Sequence, residues 1–318
     1  MKRFIKLIFK YIGDVLSWLI RNPFLFKQYN CLFEHSSRRI IRFFVKYVNL
    51  PNRNNIWKIK LLNGKNVLTK IDKNNLKTGQ FALSYKWHSP SLNFTEKLLN
   101  NYYPTDIPWI DVGANLGLRS LLSLSENRPV FFIEPNKEVN LLNIDRCELN
   151  NFKNYKLFEV GASDKKGTIA FTIDKSSYNS TIEKNSLSED IVDHQEFIQI
   201  DTIDNLFATH IKSFKTACIK IDVEGHELKV LDGGKNTIST WSPTLVIEVN
   251  KRGEHLSEFI DFFSNFNYEI FEIGEFGKKY FKQVVKCSSH DYSQIRFNDF
   301  LVVKDANLLN MFAKYAVN

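Results

Sequence analysis

The chain contains few cysteines, and their arrangement suits neither a zinc site nor a disulfide framework. The four cysteines, Cys31, Cys147, Cys218 and Cys287, are scattered through 318 residues, with no C-x-x-C pair and no cluster with histidine at zinc-ligand spacing. The sequence also lacks low-complexity tracts and internal repeats, which excludes fibrous and solenoid architectures. We therefore expect reduced, buried thiols in a cytoplasmic protein.

An uninterrupted apolar run is also missing near the start of the sequence. A membrane span needs about 20 such residues, and Leu16 to Pro23 lacks the small residues of a signal-peptide cleavage site. In residues 1–21 polar side chains recur every three or four positions, which predicts an amphipathic helix. We expect its apolar face to pack on this protein or on a second subunit in a homo-oligomer. Peripheral contact of residues 1–21 with the inner face of a membrane is the alternative.

The chain is basic, with a formal net charge of +8, and much of the excess lies in the first 60 residues. Such a charge suits an anionic partner. A nucleic-acid partner is nevertheless disfavoured, because no basic-aromatic groove pattern or RNA-binding module is visible. We expect the partner to be a small molecule or a glycan that accepts a chemical group.

The sequence divides into three regions. Residues 1–50 form a basic helical region, which includes a second helical stretch at Ser37 to Val48. Residues 51–104 contain a β-hairpin around Asn63-Gly64, a strong hairpin signal between alternating runs, and then a helix from Ser91 to Tyr102. Residues 105–318 form the main domain.

The main domain alternates strands and helices, which predicts an α/β fold with a parallel sheet and helices on both faces. We expect the last two strands to form an antiparallel hairpin at the sheet edge. The predicted strands are Trp109–Val112, Val130–Ile133, Tyr155–Val160, Ala217–Ile221, Leu245–Val249, Tyr268–Ile273 and Phe300–Val303, with helices at Leu116–Ser125 and Lys137–Asn150.

The first predicted strand is followed by a glycine-containing loop. Gly113 and Gly117 would let the backbone turn tightly and approach a ligand, with Ala114 and Asn115 between them. Their spacing differs from the dinucleotide pattern G-x-G-x-x-G, which disfavours an NAD-dependent reductase. The acidic Asp111 disfavours a phosphate and favours a cationic or hydroxyl-bearing ligand, such as the amino group of S-adenosylmethionine.

Acidic residues also follow the second and third strands. Glu134 comes 23 residues after Asp111, close to the spacing of about 20 at which a carboxylate reaches ribose hydroxyls. Ser163 and Asp164 follow the third strand, where Asp164 could accept a hydrogen bond from the adenine amine. An ordinary β-turn explains Asp164 equally well.

Ionisable residues are concentrated around the fourth strand. Lys220, Asp222 and Glu224 alternate in a segment expected to be buried, where charges without a function are uncommon; a structural Lys-Asp pair is the less favoured alternative. Glu248, in the fifth strand, adds a further acid. We expect Asp222 or Glu224 to act as the general base, and a divalent metal held by these three acids is a less favoured mechanism. His226 is expected to begin a helix.

Eight strings occur in the following order: Ile110–Gly117, Phe132–Pro135, Asn143–Asn150, Gly161–Gly167, Asp201–Leu206, Ile219–Glu227, Leu231–Gly234 and Pro243–Glu248. Together they resemble the FkbM-type methyltransferases. This resemblance implies a Rossmann-like class I methyltransferase sheet, an S-adenosylmethionine cofactor, and O-methylation of a hydroxyl on a sugar or related metabolite. It implies cofactor roles for Asp111, Gly113, Glu134 and Asp164, and the polar segment Asp174 to Glu196 is expected to be a looped substrate wall. The alternatives are methyl transfer to a nucleic acid or a lipid-linked acceptor, and a non-catalytic membrane-associated scaffold.

Overall fold

The structure is a computed structural model that describes residues 2–19, 56–70, 89–174, 180–182, 192–211, 213–249, 254–284 and 292–317. The chain divides into two compact units, one of Met1–Pro90 with Leu142–Phe152 and one of Ser91–Leu141 with Lys153–Asn318. The boundaries that the sequence suggests at residues 50 and 104 stay a prediction.

The first unit contains a helix and a β-hairpin. Helix α1 spans Lys2–Leu19, and strands β1 (Ile56–Lys60) and β2 (Asn66–Lys70) pair antiparallel. Gly64 turns the chain between them with a φ of +84°, which glycine adopts without a steric penalty. The hairpin predicted around Asn63-Gly64 is therefore present, whereas the helical stretch predicted at Ser37 to Val48 lies outside the described residues.

Helix α1 has the predicted amphipathic pattern, but the centre of its apolar face is open. Ile8, Ile12, Val15 and Leu19 are between 37% and 43% exposed. The packing of this face on protein, within the chain or in a homo-oligomer, stays a prediction. Among the described residues no helix is long and apolar enough to cross a membrane.

The remaining strands and helices follow in chain order, the strands all belonging to the second unit. A 3₁₀ turn at Leu118–Ser120 precedes α3, and a π-helical turn at Phe207–Ile211 follows α5. The strands are β3 (Trp109–Val112), β4 (Val130–Ile133), β5 (Tyr155–Phe158), β6 (Gly161–Ala162), β7 (Gly167–Asp174), β8 (Val192–Asp201), β9 (Cys218–Ile221), β10 (Thr244–Glu248), β11 (Glu269–Phe276), β12 (Lys279–Val284), β13 (Asp299–Val303) and β14 (Ala316–Val317). The helices are α2 (Pro90–Tyr102), α3 (Leu121–Ser125), α4 (Lys137–Leu149), α5 (Ile203–Leu206), α6 (Glu227–Asp232), α7 (Lys235–Trp241), α8 (Glu254–Ser264) and α9 (Ala306–Ala313).

The main sheet has a parallel half that positions the site. Strands β5, β4, β3, β9 and β10 are neighbours in this order, and every adjacent pair is parallel. All four residues of β3 and of β9 are buried, as expected for central parallel strands covered on both faces. The chain runs outward from β3 to β5 and then returns to β9 on the other side of β3. This reversal creates a topological switch point between β3 and β9, where open α/β sheets bind ligands.

The other half of the sheet is antiparallel except for the parallel pair β12 and β14, and it is larger than the predicted edge hairpin. Strand β13 pairs antiparallel with both β10 and β11, and β12 and β14 extend the sheet beyond β11. The antiparallel pairing of the last two predicted strands is confirmed, but β13 lies inside the sheet and not at its edge. The reason is its apolar sequence, since Phe300 to Val303 are fully buried and suit an internal strand.

A separate three-stranded sheet, in the order β6-β8-β7, was not predicted. Its inner face buries a small cluster formed by Phe171, Ile173, Ile198 and Ile200. The expectation of a loop from Asp174 to Glu196 is wrong for Val192 to Glu196, which belong to β8 and pair with β7. These residues look loop-like in sequence because their side chains are mostly exposed. Residues 175–179 and 183–191 of that segment lie outside the described residues.

Candidate functional site

The loop after β3 has a backbone conformation and packing that require glycine. Gly113 has a φ of +68°, and a Cβ on it would overlap the backbone carbonyl oxygen of Asp222. Its N–H donates to the carbonyl of Ile133 at 2.9 Å, which ties the loop to β4. Asn115 and Gly117 also have positive φ, at +49° and +59°. The predicted tight turn is therefore present, and close approach of the β3 and β9 backbones explains its first glycine.

Asp111 lies beneath this loop and not on its ligand side. Its side chain is fully buried, its Oδ2 accepts a hydrogen bond from Ser120 Oγ at 2.7 Å, and its Oδ1 lies 3.3 Å from Lys220 Nζ. Burial raises the pKa of Asp111, while the Lys220 ammonium acts in the opposite direction. Asp111 does not line the cavity described below. Its carboxylate braces the loop through Ser120 and Lys220, and its contact with a ligand amino group stays a prediction.

Lys220 joins three parts of the site with one ammonium group. Its Nζ donates to the carbonyl of Gly113 at 3.0 Å and lies 3.2 Å from Asp222 Oδ2, besides its contact with Asp111. Burial alone would lower the pKa of Lys220, but the Asp222 and Asp111 carboxylates outweigh burial and raise it. The group is thus a permanent cation at neutral pH. The structural Lys-Asp pair considered as an alternative is present, and the catalytic role of Lys220 stays a prediction.

Glu134 is a buried carboxylate at the end of β4. Its Oε2 accepts from the N–H of Asn115 at 2.8 Å and its Oε1 from the N–H of Asn136 at 2.9 Å. A carboxylate has about four acceptor positions, so about two are left for a ligand. Burial raises the pKa of Glu134 to about 7, although both backbone N–H groups oppose the shift. Hydroxyl donors in the cavity would therefore meet a carboxylate that ionises near neutral pH.

A cavity of about 560 Å³, open to solvent, lies at the carboxyl ends of β3, β4 and β9. Five of the predicted site residues line it: Gly113, Asn115, Glu134, Asp222 and Glu224. Its other lining residues are mostly apolar, which fits a ligand that carries both a flat ring and hydroxyl groups. These residues are Ile133, Pro135, Gly161, Ala162, Phe171, Ser180, Ile182 and Val223.

Asp222 and Glu224 reach the cavity because the chain turns sharply after β9. The strand ends at Ile221, and Glu224 adopts a φ of +53°, a conformation that is costly for a residue with a side chain. Thr181 Oγ1 donates to the carbonyl of Glu224 at 2.9 Å. Glu227 accepts from the N–H groups of Val223 and Gly225 at 3.2 and 3.0 Å. These bonds hold the turn. Asp222 and Glu224 both line the cavity because of this turn, and not because strand β9 continues through them as the sequence alternation suggested.

Glu248 differs from the other acids of the site. It is exposed at the end of β10 and does not line the cavity. The negative charge of Asp222 is the main factor that raises the pKa of Glu248. The catalytic role predicted for Glu248 stays a prediction. In the described part of the chain no group of three or more His, Cys, Asp or Glu residues is placed to hold a metal ion, so the three acids considered as metal ligands do not form such a group.

The residues after the third strand are placed beside the cavity and not in it. Asp164 pairs with Lys229 Nζ at 3.2 Å. Ser163 Oγ lies 3.0 Å from His226 Nε2, and His226 directly precedes α6 as predicted. Neither Ser163 nor Asp164 lines the cavity. Ala114 and Gly117 likewise shape the loop without lining the cavity, since Ala114 is buried and Gly117 precedes the 3₁₀ turn.

Sequence reasoning missed Phe171 in the cavity lining, whereas Ser180 and Ile182 lie in the segment Asp174 to Glu196 that the sequence indicated as a substrate wall. Phe171 belongs to β7, and Ser180 and Ile182 follow it in the chain, where Thr172 and Thr181 form an isolated β-bridge. The alternation of apolar residues from Ile169 to Ile173 was the available signal for β7. Nothing in the local sequence indicates that this strand faces the cavity.

One family model and several solved structures are similar to this chain. The family model "Methyltransferase FkbM domain" matches residues 111–270, about half of the chain, and no curated protein matches. Among solved structures, the methyltransferase FkbM from Methylobacillus flagellatus KT is 18% identical with a TM-score of 0.42, over 74% of this chain and 56% of that one. An rRNA methylase from Streptococcus thermophilus is 10% identical with a TM-score of 0.39, over 67% and 93% of the two chains. The chain thus spans little more than half of the FkbM structure.

The parallel sheet, the switch-point cavity and the acid at the end of β4 define a Rossmann-like α/β fold of the methyltransferase type. Within that class, the family model decides the assignment. The chain belongs to the FkbM methyltransferase family.

Proposed function

We propose that this protein transfers a methyl group from S-adenosylmethionine to a hydroxyl of a sugar or glycan. The observation that carries the proposal is the buried carboxylate of Glu134, held by two backbone N–H groups at the edge of a switch-point cavity that also contains Asp222 and Glu224. Membership of the FkbM family supports methyl transfer as the reaction.

The residues that line the cavity suit the parts of S-adenosylmethionine. Glu134 would accept hydrogen bonds from the ribose hydroxyls, because about two of its acceptor positions are not used by the protein. Pro135, Ala162 and Ile182 would pack against the adenine, as apolar walls do in nucleoside sites. The loop at Gly113 would approach the methionine end. The adenine contact assigned to Asp164 from sequence is not part of this proposal, since Lys229 already pairs with that carboxylate.

Glu224 is the proposed general base. Bound S-adenosylmethionine supplies an electrophilic methyl group on a positively charged sulfur. The Glu224 carboxylate would accept the proton of the acceptor hydroxyl as that oxygen takes the methyl group, and the sulfur would keep the electron pair of the broken carbon–sulfur bond. Asp222 is less suited to this step because its carboxylate already forms an ion pair with the Lys220 ammonium 3.2 Å away.

Asp222 then has a different role in the proposal. Asp222 lines the cavity and also forms an ion pair with Lys220. This ion pair holds the carboxylate in position. A fixed carboxylate can accept a hydrogen bond from an acceptor hydroxyl and orient it for in-line attack. Sugar and glycan acceptors present several hydroxyls to such a pair of acids. A nucleic-acid acceptor would bring phosphates to Asp222, Glu224 and Glu134, which like-charge repulsion disfavours.

The test of the base is the transfer of labelled methyl from S-adenosylmethionine in the variant Glu224→Gln. We expect turnover to fall by a factor of about 10² to 10⁴, the usual contribution of a general base, with unchanged binding of S-adenosylhomocysteine. Glu258→Gln makes the same chemical change on the exposed side of α8 and should leave both values unchanged. Full turnover in Glu224→Gln would contradict the assignment.

The acceptor class is tested by offering the wild-type protein sugars, glycans, lipid-linked acceptors and nucleic acids in the same assay. Methyl label in an ether linkage on a sugar hydroxyl is the expected result. Label on a nucleic acid or on a lipid-linked acceptor alone would replace the glycan proposal. Binding of S-adenosylhomocysteine without transfer to any acceptor would favour the non-catalytic scaffold.

A further inference from the structure

We propose that helix α1 lies on the surface of an anionic membrane, with its axis parallel to the lipid plane. This inference concerns the first unit and is independent of the proposed reaction. At 18 residues the helix is about 27 Å long, and among the described residues none of the helices is long and apolar enough to span a bilayer. Its segregated apolar and basic residues suit the interface instead.

The centre of the apolar face is formed by Ile8, Ile12, Val15 and Leu19, which recur at the three- and four-residue spacing of one helix side. Each is between 37% and 43% exposed. Four large aliphatic side chains on one side of a helix rarely stay in water, because burying one of them fully is worth about 1.5 to 3 kcal/mol. The face therefore needs a partner.

Two aromatic residues mark one border of this face. Tyr11 and Trp18 are seven residues apart and so lie on the same side of the helix, and they are 72% and 68% exposed. Both side chains combine an apolar ring with a polar group, the combination that is enriched where one end of a ring meets hydrocarbon and the other meets water. Asp14 and Lys10 follow on the polar side, which completes the order expected at a lipid interface.

Charge decides between a membrane and a second copy of the chain. The sequence of α1 contains Lys2, Arg3, Lys6 and Lys10 against the single acid Asp14, a net charge of +3. Anionic lipid headgroups attract each such basic residue by about 1 kcal/mol. Two copies meeting through α1 would instead bring two charges of +3 together, which is unfavourable. The net charge of α1 therefore favours contact with an anionic lipid surface over contact with a second copy of α1.

The test is sedimentation of the full chain with vesicles of phosphatidylcholine alone or mixed with phosphatidylglycerol. We expect binding to the mixed vesicles and much weaker binding to the neutral ones. Ile12→Glu should weaken binding about 30-fold, since it removes one buried aliphatic side chain. Lys10→Gln should weaken binding to mixed vesicles about fivefold, and Asp14→Asn should strengthen it about fivefold.

The control is Lys153→Gln, which removes the same charge from an exposed position in the second unit and should leave vesicle binding unchanged. Circular dichroism and thermal unfolding of each variant show whether its fold is kept. A blue shift of tryptophan emission on vesicle addition that disappears in Trp18→Phe would locate the contact at α1.

Three outcomes would overturn the proposal. The first is equal binding of wild type and Ile12→Glu to the mixed vesicles. The second is equal binding of wild type to both vesicle types. The third is a wild-type dimer in light scattering that dissociates in Ile12→Glu without any vesicle binding, which would assign the face to a second copy of the chain.

Discussion

Replacing Lys220 by methionine tests the charge arrangement under the site. Methionine keeps much of the length and apolar volume of lysine but removes the ammonium that contacts Asp111 and Asp222. Asp111 would be left fully buried with Ser120 as its hydrogen-bond donor. Removing one partner of a buried ion pair costs about 3 to 5 kcal/mol. Asp222 adds little to this loss, because 30% of its side chain is exposed and water can solvate it.

The loss should depend on pH in a defined direction. Burial already raises the pKa of Asp111, and Lys220 is the group that most opposes this rise. In Lys220→Met the folded-state pKa of Asp111 is therefore higher still above its unfolded value. The protein then loses stability as pH rises above the unfolded pKa, by at most about 1.4 kcal/mol per pH unit. The deficit of the variant should be large at pH 8 and should shrink toward pH 5.

Urea unfolding followed by tryptophan fluorescence measures this deficit, with linear extrapolation at each pH. The double variant Asp111→Asn with Lys220→Met should recover much of the loss, since no unpaired buried charge remains. Lys229→Met is the matched control: it breaks a pair of the same 3.2 Å length to Asp164, but with 54% and 29% side-chain exposure. That surface pair should cost less than about 1 kcal/mol. A similarly small loss for Lys220→Met at pH 8, or a loss that grows as pH falls, would refute the reasoning.

Three further predictions concern other residues of the second unit. In wild type, the affinity for S-adenosylhomocysteine should fall by up to about tenfold per pH unit below the Glu134 pKa of about 7, because ligand hydroxyls bind the anion. In Glu134→Gln this affinity should be weaker and should no longer depend on pH. Calorimetry at pH 6 and pH 8 checks this, and a pH-independent wild type would contradict it. Gly113→Ala should lose more than about 2 kcal/mol of unfolding free energy, from the positive φ and the overlap with Asp222; wild-type stability would disprove the stated packing. Arg128→Met should cost about 3 to 5 kcal/mol in urea unfolding, because the buried guanidinium donates to four backbone carbonyls; a loss below about 1 kcal/mol would argue against it.

Local sequence patterns were sufficient for the parallel half of the sheet. Short apolar runs separated by helical periodicity located β3, β4, β5, β9 and β10 to within two residues of the observed bounds. All of these strands except β5 are largely buried, so their apolar runs identify them. The loop at Gly113 was also predictable, because its positive φ favours glycine.

Contacts between distant segments were beyond sequence reasoning. Asp111 and Lys220 are directly opposite each other in the β3–β9 ladder, although they are far apart in sequence. That register makes Asp111 the partner of a buried lysine. Asp164 is another such case, because Lys229 pairs with it from α6. Strand β13 lies between β10 and β11 because it pairs with both, and the local sequence of a strand does not show which distant strands it pairs with.

The most direct test of the S-adenosylmethionine site is calorimetric titration of the wild-type protein with S-adenosylhomocysteine, and separately with NADH. We expect S-adenosylhomocysteine to bind with a micromolar Kd, the usual range for small-molecule sites, and to lose most of that affinity in Glu134→Gln. Lys229→Met, which alters a pair outside the cavity, should bind like wild type. Binding of NADH without binding of S-adenosylhomocysteine would contradict the assignment of this cavity.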